Sequence, residues 1–360
     1  MNKTPCKVLI IAPALVKGGM ERQLAALLQA ADKQRYTLSL ALFRKKIEYI
    51  IPEKVSVINL KKKGKVDIFF FIRLFMLIKN GGFDLIHSRI EGVNEYTMLI
   101  CGLLKIKPLI LEIRNTGVQQ LKHYRRMSIL LRIFKAPWRV VCNSKKAVED
   151  IRPVLPSFVP TTYIGNGVDI NRFKKTDGLK EKLFTIGFVG RIARQKNIEV
   201  LIKAAALINR THHQKFRIYI IGNTKDKQYE KEINKIIEIG NFNDAIVFLP
   251  VVDDIEKYYN KFELFVLPSN YEGTPNALLE AMSCECPCLI SEGANHDSIL
   301  AKEFVFDTED FQQLADKILK IYHLDKKIKQ QIGRENREKI LKVFSLNTMK
   351  DQYQKLWDDM

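Results

Sequence analysis

Glu272 and Glu280 stand eight positions apart in SNYEGTPNALLEAM (Ser269–Met282), the first in a turn-rich loop and the second inside an apolar, helix-like run. Leu278, Leu279, Ala281 and Met282 flank Glu280, and an ionised carboxylate in that setting needs hydrogen-bond donors to offset its desolvation. Thr274 is suited to cap the helix and Pro275 to occupy its first position, where a missing N–H costs nothing. Glu272 then sits at the helix mouth and Glu280 nearly two turns inside. The vicinal hydroxyls of a ribose would satisfy Glu280; so would a core Arg, Lys or backbone amide.

A second candidate lies in GFVGRIARQKN. Arg191, Arg194 and Lys196 come just before a helix that starts near Asn197, so cations and a helix N-terminus converge on a place suited to phosphate oxygens; a solvated basic loop is the plain alternative. The turn VKGGM, with Gly18 and Gly19, joins a strand to a helix. It is not G-x-G-x-x-G and lacks the acidic residue that would hold a dinucleotide ribose, which argues against a nicotinamide dehydrogenase. Together the pieces fit a nucleotide diphosphate sugar, with ribose on Glu280, diphosphate on Arg191 and Lys196, and sugar near Glu272.

The segments that must position these groups alternate between strand-like and helix-like patterns. KVLIIAPAL, YTLSLALF, VSVINL, DLIHSR, PLILEIRN and RVVCNS read as strands, with ERQLAALLQAAD, VDIFFFIRLFMLIKN and NEYTMLICGLLK as helices between them. This alternation predicts a doubly wound, mostly parallel sheet, whose ligands gather at the carboxyl ends of its strands. The pattern pauses in Pro160–Lys182, with a domain boundary near Asp169, and a second alternating series follows from LFTIGFVG to DFQQLADKILKIYH. The expected division is therefore 1–168, 169–343 and a further helix in 344–360. Ile68–Ile78 is too short to span a bilayer and contains Arg73, so it is expected to be a core helix of the first lobe.

Charge is unevenly shared. Residues 1–169 carry 29 Lys and Arg against 12 Asp and Glu, while residues 170–360 carry 30 against 28, so the first lobe holds nearly all of the +19 excess. Such a surface attracts nucleic acid, anionic lipid or phosphorylated ligands. A nucleic-acid protein would interleave aromatics on the basic face or present a groove-reading helix, and neither is evident. Cys6, Cys101, Cys142, Cys284, Cys286 and Cys288 are scattered without a secretory leader, which suggests a reducing cytoplasm and no disulfides. The trio in CECPC lacks C-x2-C spacing, and His296 is eight residues beyond it, so buried thiols are expected rather than a metal site.

The spacing E-x7-E in EGTPNALLE, the turn VGRIARQKN, the segment IGNGVD (Ile164–Asp169) and the turn KGGME resemble, in order and over almost the whole chain, the retaining nucleotide-sugar glycosyltransferases of family 4. The resemblance implies the GT-B fold: two Rossmann-like lobes facing a cleft, the final helix crossing back to the first lobe. It implies that Arg191 and Lys196 neutralise the departing diphosphate, that Glu280 binds ribose, and that Glu272 with the N–H groups of Gly273 and Thr274 holds the transferred sugar. Gly190 and Asn276 would join the donor site. It implies no metal and no cofactor, the nucleotide-sugar being a substrate. The chain departs from the pattern in two places. Arg114 and Asn115 stand where many relatives carry a histidine, and Cys286 stands where relatives usually carry glycine.

On the acceptor or phosphate side, the candidates are Gly18, Gly19, His87, Arg114 and Asn115; for His87, at the end of a strand, a structural hydrogen-bonded role is at least as natural. Gln119–Arg139 mixes Lys122, Arg125, Arg126 and Arg132 with Ile129, Leu130, Ile133 and Trp138, a composition suited to an anionic bilayer or to an ordinary surface helix. With Lys61–Lys65 it points to a lipid-linked or glycan acceptor, an anionic membrane surface met by the first lobe, and a peripheral cytoplasmic location at the inner face. A synthase or epimerase of the same architecture with a soluble acceptor is the alternative, and would not need the basic lobe.

Overall fold

A computed structural model describes residues 4–16, 18–64, 67–106, 108–114, 121–136, 138–212, 216–240 and 245–360. The chain divides into two compact units, Met1–Gly167 with Leu346–Met360, and Val168–Ser345. In the first, the strands are β1 (Cys6–Ala12), β2 (Tyr36–Leu42), β3 (Ser56–Asn59), β4 (Leu85–Arg89), β5 (Leu109–Ile113), β6 (Arg139–Cys142) and β7 (Thr161–Tyr163). They form one sheet in the order β3-β2-β1-β4-β5-β6-β7, every pairing parallel. Leu9, Ile11, Ile86, Leu109 and Leu111 face one side of that sheet and Val8, Ile10, Leu85 and Ile110 the other, the period of two that a strand buried on both faces requires.

Helices α2 (Ile68–Asn80), α3 (Glu91–Leu103), α4 (Leu121–Phe134) and α5 (Lys145–Ile151) cover the first face. Helices α1 (Gly19–Ala30) and α12 (Leu346–Asp358) cover the second, where Met349, Tyr353, Leu356 and Trp357 join Leu24, Leu27 and Leu28. Local chemistry fixes the helix starts: Asp67 accepts from Phe70 N–H at 2.9 Å to begin α2, and Ser144 from Ala147 N–H at 3.1 Å to begin α5.

The second unit repeats the plan with β8 (Phe184–Val189), β9 (Phe216–Ile221), β10 (Ile246–Leu249), β11 (Leu264–Leu267), β12 (Cys288–Ser291) and β13 (Val305–Phe306), all parallel in the order β10-β9-β8-β11-β12-β13. Its helices are α6 (Ile198–His212), α7 (Lys227–Gly240), α8 (Ile255–Lys261), α9 (Asn276–Ser283), α10 (Phe311–His323) and α11 (Lys326–Val343). In both sheets the first strand lies between the second and the fourth. The chain reverses its winding direction there, and in doubly wound sheets the crevice beside such a switch point is where ligands bind. Among the described residues, no helix is long and apolar enough to cross a membrane.

Candidate functional site

In the second unit that crevice is bounded by the turn after β8 and the loop after β11. Gly190 donates its N–H to Ile221 O at 3.0 Å, which closes the end of β8 against β9. Gly222 makes the approach possible: its φ is +152°, and a Cβ there would fall 1.9 Å from the Gly190 carbonyl oxygen. A short 3-10 turn, Arg194–Lys196, follows, and Asn197, at φ 50°, turns the chain into α6.

This turn is tied to the loop of the neighbouring strand. Asn270 N–H donates to Gln195 O at 2.8 Å, Asn270 Nδ2 to Arg194 O at 3.0 Å, and Gln195 Nε2 to Tyr271 O at 3.0 Å. Held between these bonds, the Lys196 ammonium forms an ion pair with the Glu272 carboxylate, both side chains mostly enclosed. Arg191 is exposed beside them, with Nη2 donating to Gln195 at 3.3 Å. Arg194 turns away: its guanidinium meets Glu232 of α7 at 2.7 Å and lies 3.8 Å from Asp226. Two of the three sequence-predicted cations, Arg191 and Lys196, therefore remain on this edge.

Helix α9 begins one residue later than its sequence suggests. Pro275, at φ −79° and ψ 104°, takes the capping position and its carbonyl accepts from Leu279 N–H, while Asn276 opens the helix. Thr274 does not cap it; its hydroxyl donates to Asp297 at 3.2 Å, a buried contact that anchors the loop from the far side. The stretch Glu272–Gly273–Thr274 still leads straight into the helix N-terminus. Glu280 lies about 6 Å further along the axis, only 4% exposed, and its Oε2 accepts from the Tyr259 hydroxyl of α8 at 2.9 Å. The donor that the sequence demanded for Glu280 is thus met in part by a tyrosine.

After α9 the left-handed backbone falls on Glu285, at φ 58°, and not on Cys286. Cys286 is buried with its sulfur 3.5 Å from Phe262 O, and Asn336 Nδ2 of α11 donates to its carbonyl at 2.9 Å. The six cysteines are all free thiols, and among the described residues no three His, Cys, Asp or Glu side chains converge as a metal-ligand set. A cavity of about 110 Å³ lined by Leu289, Phe304, Ile321 and Leu324 shares no residue with the edge just described.

The corresponding edge of the first unit holds a group that sequence reasoning only grazed. Glu112 of β5 is fully buried. Its Oε2 meets Arg89 Nε at 2.9 Å and His87 Nε2 at 3.1 Å, and its Oε1 accepts from Arg114 Nη1 at 2.5 Å and from the Tyr353 hydroxyl of α12 at 2.8 Å. Arg114 also donates to Asn166 at 2.7 Å. Burial alone would push the Glu112 carboxyl up, but the guanidinium groups of Arg89 and Arg114, with His87, outweigh it and hold it well below the usual carboxylate range. Burial pushes His87 down, so it is neutral. His87 is fully buried and bonded to Glu112, an arrangement that suits a structural histidine, and Arg114 is engaged by Glu112 and Asn166. Asn115 lies outside the described residues.

Gly18 precedes α1 and exchanges hydrogen bonds with the Tyr49 hydroxyl, at 3.2 Å through its N–H and 3.0 Å through its carbonyl. A Cβ on Gly18 would come within 2.4 Å of a Glu21 carboxylate oxygen, so a first-turn acid of the same helix already occupies the space beside it; Gly19 is the first, exposed residue of α1.

Two successive units with parallel sheets of this order, the first completed by a helix that follows the second, form the GT-B architecture. The chain belongs to the family-4 glycosyltransferases: residues 17–172 match Glycosyltransferase Family 4 and residues 169–339 match Glycosyl transferases group 1. It is 23% identical over 331 residues, 87% of this chain and 84% of the relative, to the UDP-Gal:alpha-D-GlcNAc-diphosphoundecaprenol alpha-1,3-galactosyltransferase of Escherichia coli. It is 26% identical over 306 residues, 79% of this chain and 80% of the relative, to the N-acetylgalactosamine-N,N'-diacetylbacillosaminyl-diphospho-undecaprenol 4-alpha-N-acetylgalactosaminyltransferase of Campylobacter jejuni. Its fold matches that of Anabaena Alr3699/HepE in complex with UDP and glucose, with a TM-score of 0.83 at 18% identity over 99% of this chain and 100% of that one.

Proposed function

We propose that this glycosyltransferase moves a hexosyl group from a UDP- or GDP-sugar to a lipid-linked or polysaccharide acceptor at the inner face of a membrane, with retention of anomeric configuration and without a metal. The observation that carries the donor assignment is the Lys196–Glu272 ion pair, which joins the turn after β8 to the loop after β11 where the sheet reverses.

Arg191 and Lys196 take the diphosphate, Glu280 the ribose, and Glu272 with the Gly273 and Thr274 N–H groups the transferred sugar; Gly190 and Asn276 complete the donor site. Donor binding inserts phosphate oxygens beside Lys196, which frees Glu272 to accept from a sugar hydroxyl. The bond from the anomeric carbon to the phosphate oxygen breaks, the acceptor oxygen attacks from the face just vacated, and its proton passes to the departing diphosphate. The charge that develops there falls on Lys196 and Arg191. The first unit, with its basic excess, takes the acceptor and meets the anionic bilayer. The lipid-linked substrates named for the two relatives support this reading.

A thermal-shift screen of UDP- and GDP-sugars tests it, followed by transfer to diphosphoundecaprenol-linked acceptors with and without EDTA. NMR of the product reads the anomeric configuration. The assignment falls if no nucleotide raises the melting temperature, or if the product is inverted.

A further inference from the structure

The sequence of α2 suggests a core helix, but only one stripe of it is buried. Phe70, Leu74 and Ile78, spaced by four, are 0%, 0% and 4% exposed. The opposite stripe is also apolar and faces water: Ile68 is 67% exposed, Phe69 69%, Ile72 49% and Met76 47%. At about 100° per residue these four fall within an arc of about 100°. Arg73, the one cation in the middle of the helix, is drawn to its flank, with Nε donating to Leu60 O at 2.8 Å and Nη2 to Lys61 O at 3.2 Å, so the outer stripe carries no charge until Lys79. On the same face of the sheet, α3 adds Leu103, 58% exposed, and α4 adds Ile129 and Ile133, 57% and 63% exposed.

Cations fringe this surface. Lys61 and Lys63 are exposed before the α2 N-terminus, Lys79 at its other end, and Arg125 and Arg132 on α4. An apolar strip of this size is costly in water and marks a surface made to be covered. The fringe selects what covers it. A second copy laid face to face would bring like charges together, whereas the anionic headgroups of a bilayer would neutralise them while the acyl chains receive the aliphatic and aromatic side chains.

We propose that α2 lies in the headgroup–acyl boundary of an anionic membrane, with Phe69, Ile72 and Met76 inserted and the flanking lysines on lipid phosphates. The inference rests on the reading of a membrane-bound acceptor and names the element that reaches the membrane. It makes apolar insertion by α2, and not charge on α4 alone, the determinant of binding.

The test is flotation of the purified full chain with phosphatidylglycerol-containing vesicles and with pure phosphatidylcholine vesicles. The variant Ile72→Glu/Met76→Glu alters only exposed side chains and is expected to keep its melting temperature while vesicle partitioning falls about 10-fold or more. Phe69→Trp is expected to give blue-shifted emission, quenched by brominated acyl chains, on the anionic vesicles. Undiminished binding of the double variant, or an unshifted and unquenched Phe69→Trp signal, overturns the proposal. So does a lipid-free dimer that the double variant dissolves. Nucleotide-induced thermal shift measured on the same proteins separates the two readings. Vesicle binding without any nucleotide shift in the parent chain defeats the transferase assignment alone; a normal shift with vesicle binding unaffected by the α2 changes defeats this one alone.

Discussion

Replacing Glu280 with Gln tests the donor assignment most directly, because it keeps the shape of a nearly enclosed side chain and removes only its charge. Two ribose hydroxyls donating to a carboxylate form charge-assisted bonds of about 1.5–3 kcal/mol each. The amide accepts through one oxygen, which loses one of these bonds and weakens the other. The expected loss is about 2–3 kcal/mol, roughly 30- to 150-fold in nucleotide dissociation constant. With ligand at about 100 times the parent dissociation constant, the parent gains about 2.7 kcal/mol of stability, and a hundredfold weaker variant gains only about 0.4 kcal/mol. The amide oxygen can still accept from Tyr259, so the unliganded fold should lose no more than about 1 kcal/mol. Tyr259→Phe is the companion: it should cost about 1 kcal/mol of stability and leave nucleotide affinity within about twofold. Calorimetry and thermal shift read both quantities. A folded Glu280→Gln protein that binds nucleotide as tightly as the parent would refute the ribose assignment.

Lys196→Ala removes the cation proposed to meet the leaving diphosphate and should lower kcat by about 10²–10³, measured by steady-state transfer or donor hydrolysis; an undiminished kcat would move the phosphate site elsewhere. Glu112→Ala leaves two buried guanidinium groups without their counter-ion and should cost about 3–5 kcal/mol, read by urea titration, while Tyr353→Phe should cost about 1 kcal/mol. The folded-state pKa of His87 is depressed, so the unfolded chain binds the extra proton first. Its contribution is complete above the ordinary imidazole value of about 6.5 and is lost as pH falls toward the lower folded-state value. The denaturation midpoint should therefore decline below about pH 6.5, and a His87→Gln variant should show a flatter profile over that window.

Both sheets were legible because a strand buried on two faces is a nearly continuous apolar run, and the helices between the strands carry polar stripes. α11 was not legible: KKIKQQIGRENREKILKV is charged around most of its surface and buries only Gly333, Asn336 and Ile340. Its placement rests on backbone approach, since a Cβ on Gly333 would fall 2.2 Å from Glu285 O, and contact of that kind leaves no periodic trace. Glu280 stood out as an acid in an apolar helix. Glu112, inside LILEI, gave the same signal in a strand, but its partners Arg89 and Tyr353 lie 23 and 241 residues away and could not be paired with it in advance. The inner stripe of α2 packs in the core as its sequence suggests, but hydrophobicity on every side of a helix does not tell which stripe will face solvent, here Ile68, Phe69, Ile72 and Met76. Proximity in sequence puts Arg194 with Arg191 and Lys196, whereas a short 3-10 turn sends its side chain toward α7.

The first unit is discontinuous in sequence, since α12 enters it only after Val168–Ser345 have intervened. A nascent chain must therefore emit the whole second unit before Tyr353 can reach Glu112 and Trp357 can close over Tyr36. Until then Glu112 lacks the hydroxyl that α12 brings to it, so the unit that is made earlier is completed later.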